Sequence, residues 1–249
     1  MNDSWAALRR FTAARIALGR AGDGLPTERV LEFELAHARA RDAVHAPLDV
    51  ERLAVELRSF AAVVVASEAK SRMEYLQRPD RGRNLDAASR ARLKRGRFDA
   101  ALVVADGLSA RAVHDNAPPL VAQLHKLLPK LDWAPLTIAT NGRVAIGDDV
   151  AAALGASLVV VLIGERPGLS AADSLGAYLT FDPKPGVTRD AGRNCVSNIR
   201  RGGLSIDQAA RRVAALITMA RRIGLSGVGL KEDDALALFA GGKSALRNS

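Results

Sequence analysis

Apolar positions recur at helical intervals through the first hundred residues and then give way to short β-rich runs. Leu31, Leu35 and Ala38 repeat along a helix that starts at Glu28 with Thr27 as its cap. A second helix opens at Asp49 and carries Leu53, Leu57 and Phe60 on one face. The run Ala61–Ala66 (AAVVVA) suits helix or strand, and its continuity with the preceding segment assigns it to helix. Asp80–Arg83 (DRGR) reads as a turn, and Asp86 caps a short helix, AASRARL. From Phe98 the pattern changes. Strands are predicted at Asp99–Ala105, Leu136–Thr140, Ser157–Ile163 and Ala177–Phe181, with helices around Ala110–His114, Pro119–Leu131 and Val150–Leu154 between the earlier ones. The stretch Ile206–Ile223 is a long amphipathic helix.

Strands alternating with helices predict an α/β fold, with a Rossmann-like parallel sheet covered by helices on both faces. A helical N-terminal region precedes it. The division falls between residues 1–97, assigned to assembly and interface, and residues 98–249, the α/β domain.

Composition narrows the classes. With 48% hydrophobic and 25% charged residues, this is an ordinary globular chain. No run approaches the roughly 18 apolar residues of a membrane span, and the first residues lack a secretory pattern. The single cysteine excludes an internal disulfide, so a cytoplasmic location is expected. The net charge of +9 is spread evenly, and aromatic residues make up only 4%, which argues against a nucleic-acid platform. An anionic ligand or an acidic partner subunit makes better use of the excess charge.

No dinucleotide fingerprint, Walker sequence or nucleophile elbow is present. Asp106-Gly107-Leu108-Ser109 occupies the place where such folds bind phosphate, but also reads as a tight turn with Ser109 capping a helix. The four histidines are too scattered for a metal cage, and no metal or catalytic residue is assigned. The richest stretch runs from Gly164 to Ser205. It leaves the end of a buried strand, where ligands of open α/β sheets bind, and includes a Pro-, Gly-, Arg- and Asn-rich loop ending at the only cysteine. Glu165, in GERPG, either faces that crevice or pairs with a neighbouring arginine. Cys195 reads as a small buried hydrophobe, and nearby Arg193 would favour a thiolate. Val144 reads as a turn-flanking apolar residue.

These segments also carry a resemblance. TAARIALGRAGDGLPT (Thr12–Thr27), ELAHARARDAVH (Glu34–His45), DGLSARAV (Asp106–Val113), NGRVAIGDD (Asn141–Asp149), GERPG and RNCVSN (Arg193–Asn198) together resemble the small (light) subunit of ethanolamine ammonia-lyase. The resemblance implies elimination of ammonia from ethanolamine to give acetaldehyde, started by homolysis of the cobalt–carbon bond of adenosylcobalamin. It implies cobalamin contacts at Val144, Glu165 and Cys195, on three successive strand-end loops after Thr140, Ile163 and Phe181. Catalytic residues would lie on a TIM-barrel large subunit, in a ring-like hetero-oligomer often enclosed in a bacterial microcompartment. No membrane or nucleic-acid partner is implied. The competing reading is a non-catalytic α/β sensor domain for a small anionic ligand.

Overall fold

The computed structural model describes residues 5–12 and 14–239. Residues 1–4 and 240–249, the ends of the two predicted regions, lie outside the described residues. The helices are α1 (Ala6–Arg9), α2 (Thr27–His45), α3 (Val50–Glu56), α4 (Arg72–Gln77), α5 (Ala87–Arg92), α6 (Ala110–Leu127), α7 (Ile146–Leu154), α8 (Ile206–Ile223) and α9 (Glu232–Phe239). The strands are β1 (Val63–Ala66), β2 (Ala101–Ala105), β3 (Thr137–Thr140), β4 (Leu158–Gly164), β5 (Leu175–Phe181) and β6 (Arg193–Ile199). They form one mixed sheet in the order β1-β3-β2-β4-β5-β6.

The chain is α/β, and the sheet alternates as its pleat requires. Leu102, Val104, Leu158, Val160 and Leu162 point into one core with α3, α6 and α8. Val103, Ala105, Val159, Val161 and Ile163 point into the other with α7. Both faces are covered. Side-chain caps hold several helix starts: Asp49 accepts from Arg52 N, Asp86 from Ser89 N, and Ser205 forms a capping box with Gln208.

The run Ala61–Ala66 is not helical: Ala61 has φ +50°, which stops the preceding turn, and Val63–Ala66 pair in parallel with Thr137–Thr140. Three consecutive valines fit a sheet better than a helix. This strand lies before residue 98 yet belongs to the same sheet. The sheet is not all parallel: β1 to β4 run parallel, whereas β5 pairs antiparallel with β4 and β6 antiparallel with β5. Only ten residues without a helix join β4 to β5, too few for the crossover a parallel partner needs. The two helices predicted around Ala110–His114 and Pro119–Leu131 are one, α6, running through Pro118 and Pro119. Its buried face (Ala112, Val113, Asn116, Ala117, Leu120, Val121, Leu124) is continuous across the prolines, and that burial overrides the break. Finally, Arg193–Ile199 is a strand, not a loop.

Candidate functional site

The carboxyl ends of β2 and β3 are tied together by one side chain. The buried Asp106 carboxylate accepts from Asn141 N at 2.9 Å, Gly142 N at 3.0 Å and the Arg72 guanidinium at 3.3 Å. Burial pushes its pKa up, opposed by Arg72 and the backbone donors. Arg72 also donates to Gly107 O and Val44 O, both at 2.8 Å, so it links α4, α2 and the β2 end. Ser109 Oγ accepts from Ala112 N at 3.1 Å and donates to Ala172 O at 2.8 Å. Asp106–Ser109 is therefore a turn and cap that holds neighbouring loops in place. Gly164 packs directly on this turn: a methyl group there would lie 2.2 Å from Ser109 O.

Glu165 follows Gly164 and is half-buried. Its Oε2 accepts from the Ser174 hydroxyl at 2.5 Å and from Asn198 N at 3.2 Å. Among the described residues, no lysine or arginine pairs with this carboxylate, and Oε1 accepts no hydrogen bond. The salt-bridge alternative thus does not describe Glu165. The Asn198 amide reaches it because β6 bulges opposite Leu175–Ala177, with Asn198 at φ +59°. Gly176 leaves the space that Oε1 occupies: a methyl group there would lie 3.0 Å from both Oε1 and Tyr178 Cε2.

Val144, half-buried, sits after β3 and just before α7, at the rim of the second core. Cys195 is not on a strand-end loop; it stands within β6, directly opposite Tyr178 on β5. It is exposed, yet the atoms around it remove enough water to push its thiol pKa up; a Tyr178 hydrogen bond pulls it down and the Glu165 charge up. A raised pKa means a neutral thiol at neutral pH, a packing surface more than a nucleophile. Tyr178 is likewise raised, mainly by burial and then by Cys195.

The three residues share one concave surface. A cleft of about 440 Å³ is lined by Tyr75, Leu108, Arg143, Val144, Glu165 and Tyr178, among others. An adjoining hollow of about 240 Å³ is lined by Val144, Tyr178, Asp190, Arg193 and Cys195. Val144 and Tyr178 form the ridge common to both. The sequence reading missed Tyr178, Tyr75, Gly176 and Asn198. Tyr178 had a usable signal, since alternation from Leu175 puts it on the opposite face from Ala177 and Leu179. Tyr75 comes from a distant helix and had none. Among the described residues, no three His, Cys, Asp or Glu side chains gather as a metal site, and no helix is long and apolar enough to cross a membrane.

The family model "Ethanolamine ammonia-lyase light chain (EutC)" matches residues 2–231. Three proteins named ethanolamine ammonia-lyase small subunit are similar along nearly their whole lengths. The one from Rhodococcus erythropolis is 51% identical over 97% of this chain and 95% of its own. That from Bradyrhizobium diazoefficiens is 52% identical over 92% and 90%, and that from Ralstonia nicotianae 50% over 96% and 92%. With a family match across almost the entire chain and relatives at half identity, this chain belongs to the ethanolamine ammonia-lyase light-chain family.

Proposed function

We propose that the chain forms one wall of an adenosylcobalamin site, which a large subunit completes, in an enzyme that converts ethanolamine to acetaldehyde and ammonia. The observation that carries this reading is the state of Glu165. Among the described residues this carboxylate has no ion-pair partner and one oxygen that accepts nothing, and it lines a cleft where Leu108, Val144 and Ile163 stand beside Arg143 and Arg166. Such an oxygen suits an amide N–H, and a corrin ring has a rim of amides around a broad apolar face. Val144, Tyr178 and Cys195 supply a ridge for packing against that face. Bound adenosylcobalamin would supply the radical that starts the elimination. The residues of this chain would bind and orient the corrin and keep water from it.

Size argues for a second wall. Pockets that enclose a drug-sized ligand measure roughly 300–1,000 Å³, and a corrinoid is larger than such a ligand. A 440 Å³ cleft therefore covers only part of it. The helical N-terminal region suits the missing contact. Helix α2 has 19 residues and buries only Ala43, while Val30, Leu31, Phe33 and Leu35 are exposed. Most helical stability in proteins comes from packing an apolar face, so a covering partner would stabilise it. We assign this face of α2 to the large subunit.

Reconstitution tests the reading. The purified chain alone should produce no acetaldehyde, and mixing with a large subunit and adenosylcobalamin should restore it together with a bound-cobalamin absorbance spectrum. Turnover by the single chain, shown free of large subunit, contradicts the reading.

A further inference from the structure

Among the described residues, three buried donors around Tyr75, which lines the Glu165 cleft, have no acceptor. Tyr75, on α4, is fully buried, and its hydroxyl makes no hydrogen bond. The Arg143 and Arg72 guanidinium carbons lie 4.1 and 4.7 Å from its ring centroid. Arg143 Nε and Arg72 Nη2 are also buried without a partner. Arginine cannot accept, so the two guanidinium groups cannot satisfy one another. Asp106, the carboxylate that Arg72 contacts, is already occupied by two backbone amides and Arg72 itself. Arg143 spends Nη2 on Tyr75 O at 3.0 Å and, among the described residues, has no acidic partner. Tyr75 and Arg143 both line the cleft. Burial pushes the Tyr75 pKa up to about 12, so its hydroxyl keeps its proton at neutral pH. Buried polar groups are rarely left unpaired in proteins, and a cluster of donors marks a missing oxygen.

We propose that Tyr75 and Arg143 form a donor subsite for an oxygen acceptor of the bound ligand, at the same cleft where Glu165 offers the complementary acceptor. The proposal rests on the cobalamin reading. That ligand carries two such oxygens, the phosphodiester of its nucleotide tail and the carbonyls of its rim amides. The subsite thus orients the ligand by polarity: amide N–H groups towards Glu165, oxygen towards Tyr75 and Arg143.

The test uses the reconstituted complex of large and small subunits, titrated with hydroxocobalamin and with cobinamide, which keeps the corrin but lacks the nucleotide tail. Binding is followed by absorbance. Tyr75→Phe and Arg143→Lys should each weaken hydroxocobalamin binding about tenfold. The thermal midpoint of ligand-free Tyr75→Phe should hold or rise, because the hydroxyl has no partner to lose. A loss confined to hydroxocobalamin assigns the phosphodiester, and a loss shared with cobinamide assigns an amide carbonyl. Equal affinity of wild type and both variants for both corrinoids overturns the subsite. Failure of the wild-type complex to bind either corrinoid overturns instead the cobalamin reading on which it rests.

Discussion

Arg193 and Asp148 form a buried two-bond ion pair, with Nη1–Oδ1 at 2.7 Å and Nη2–Oδ2 at 2.6 Å, their side chains 3% and 2% exposed. Thr180 Oγ1 takes a further bond from Nη1 at 2.8 Å. Asp148 stands in the first turn of α7, shortly after Val144, and Arg193 stands two residues before Cys195. One ion pair therefore fixes two walls of the surface relative to each other. Removing one partner strands the other charge in the core, so Asp148→Ala should cost about 3–5 kcal/mol. Urea unfolding measures this, and the double replacement Asp148→Leu, Arg193→Met should recover much of the loss.

Gly176 leaves room for two side chains at once. A methyl group there would lie 3.0 Å from both Glu165 Oε1 and Tyr178 Cε2, so the carboxylate and the ring must both shift. Gly176→Ala should cost about 1–3 kcal/mol, because overpacking displaces the ring and strains the Glu165 bonds to Ser174 and Asn198. It should also weaken cobalamin binding, since the carboxylate leaves its position. Paired unfolding and cobalamin titration curves measure the two losses, and wild-type values in both would contradict this packing.

His114 makes the chain sensitive to acid. Its Nε2 accepts from Asp49 N at 3.1 Å, a bond only the neutral ring can make, and burial lowers its pKa. Between that lowered value and the ordinary one near 6.5, the unfolded chain binds more protons than the folded one. Stability contributed by neutral His114 is therefore present above about pH 6.5 and lost as pH falls through the lowered folded value. Unfolding midpoints at pH 8 and pH 5.5 should differ, and His114→Gln should reduce the difference.

Much of the sheet was legible because β2, β3 and β4 are short apolar runs bounded by glycine, asparagine or aspartate. β1 was not, because AAVVVA follows a helical run with no breaker; the stop is the positive φ of Ala61, which composition does not announce. β6 was hidden for a physical reason. As an edge strand it buries only Arg193, Val196 and Ile199, and its bulge breaks the two-residue period. The antiparallel pairing of β5 with β4 is implied by the lack of a helix between Gly164 and Leu175. At the site, Glu165 was visible from its place beyond a buried strand. Tyr75, Gly176 and the Arg193–Asp148 pair were not, since each acts through residues distant in sequence.

Glu165 carries the central claim, and a cobalamin titration of the reconstituted complex tests it. A hydrogen bond to a charged acceptor contributes about 1.5–3 kcal/mol. Glu165→Ala should weaken apparent cobalamin affinity roughly ten- to a hundredfold with the fold intact. Glu165→Gln, which keeps an acceptor oxygen, should lose less, and saturating cofactor should restore the rate in both. Unchanged cobalamin affinity in the folded Glu165→Ala complex would contradict the account.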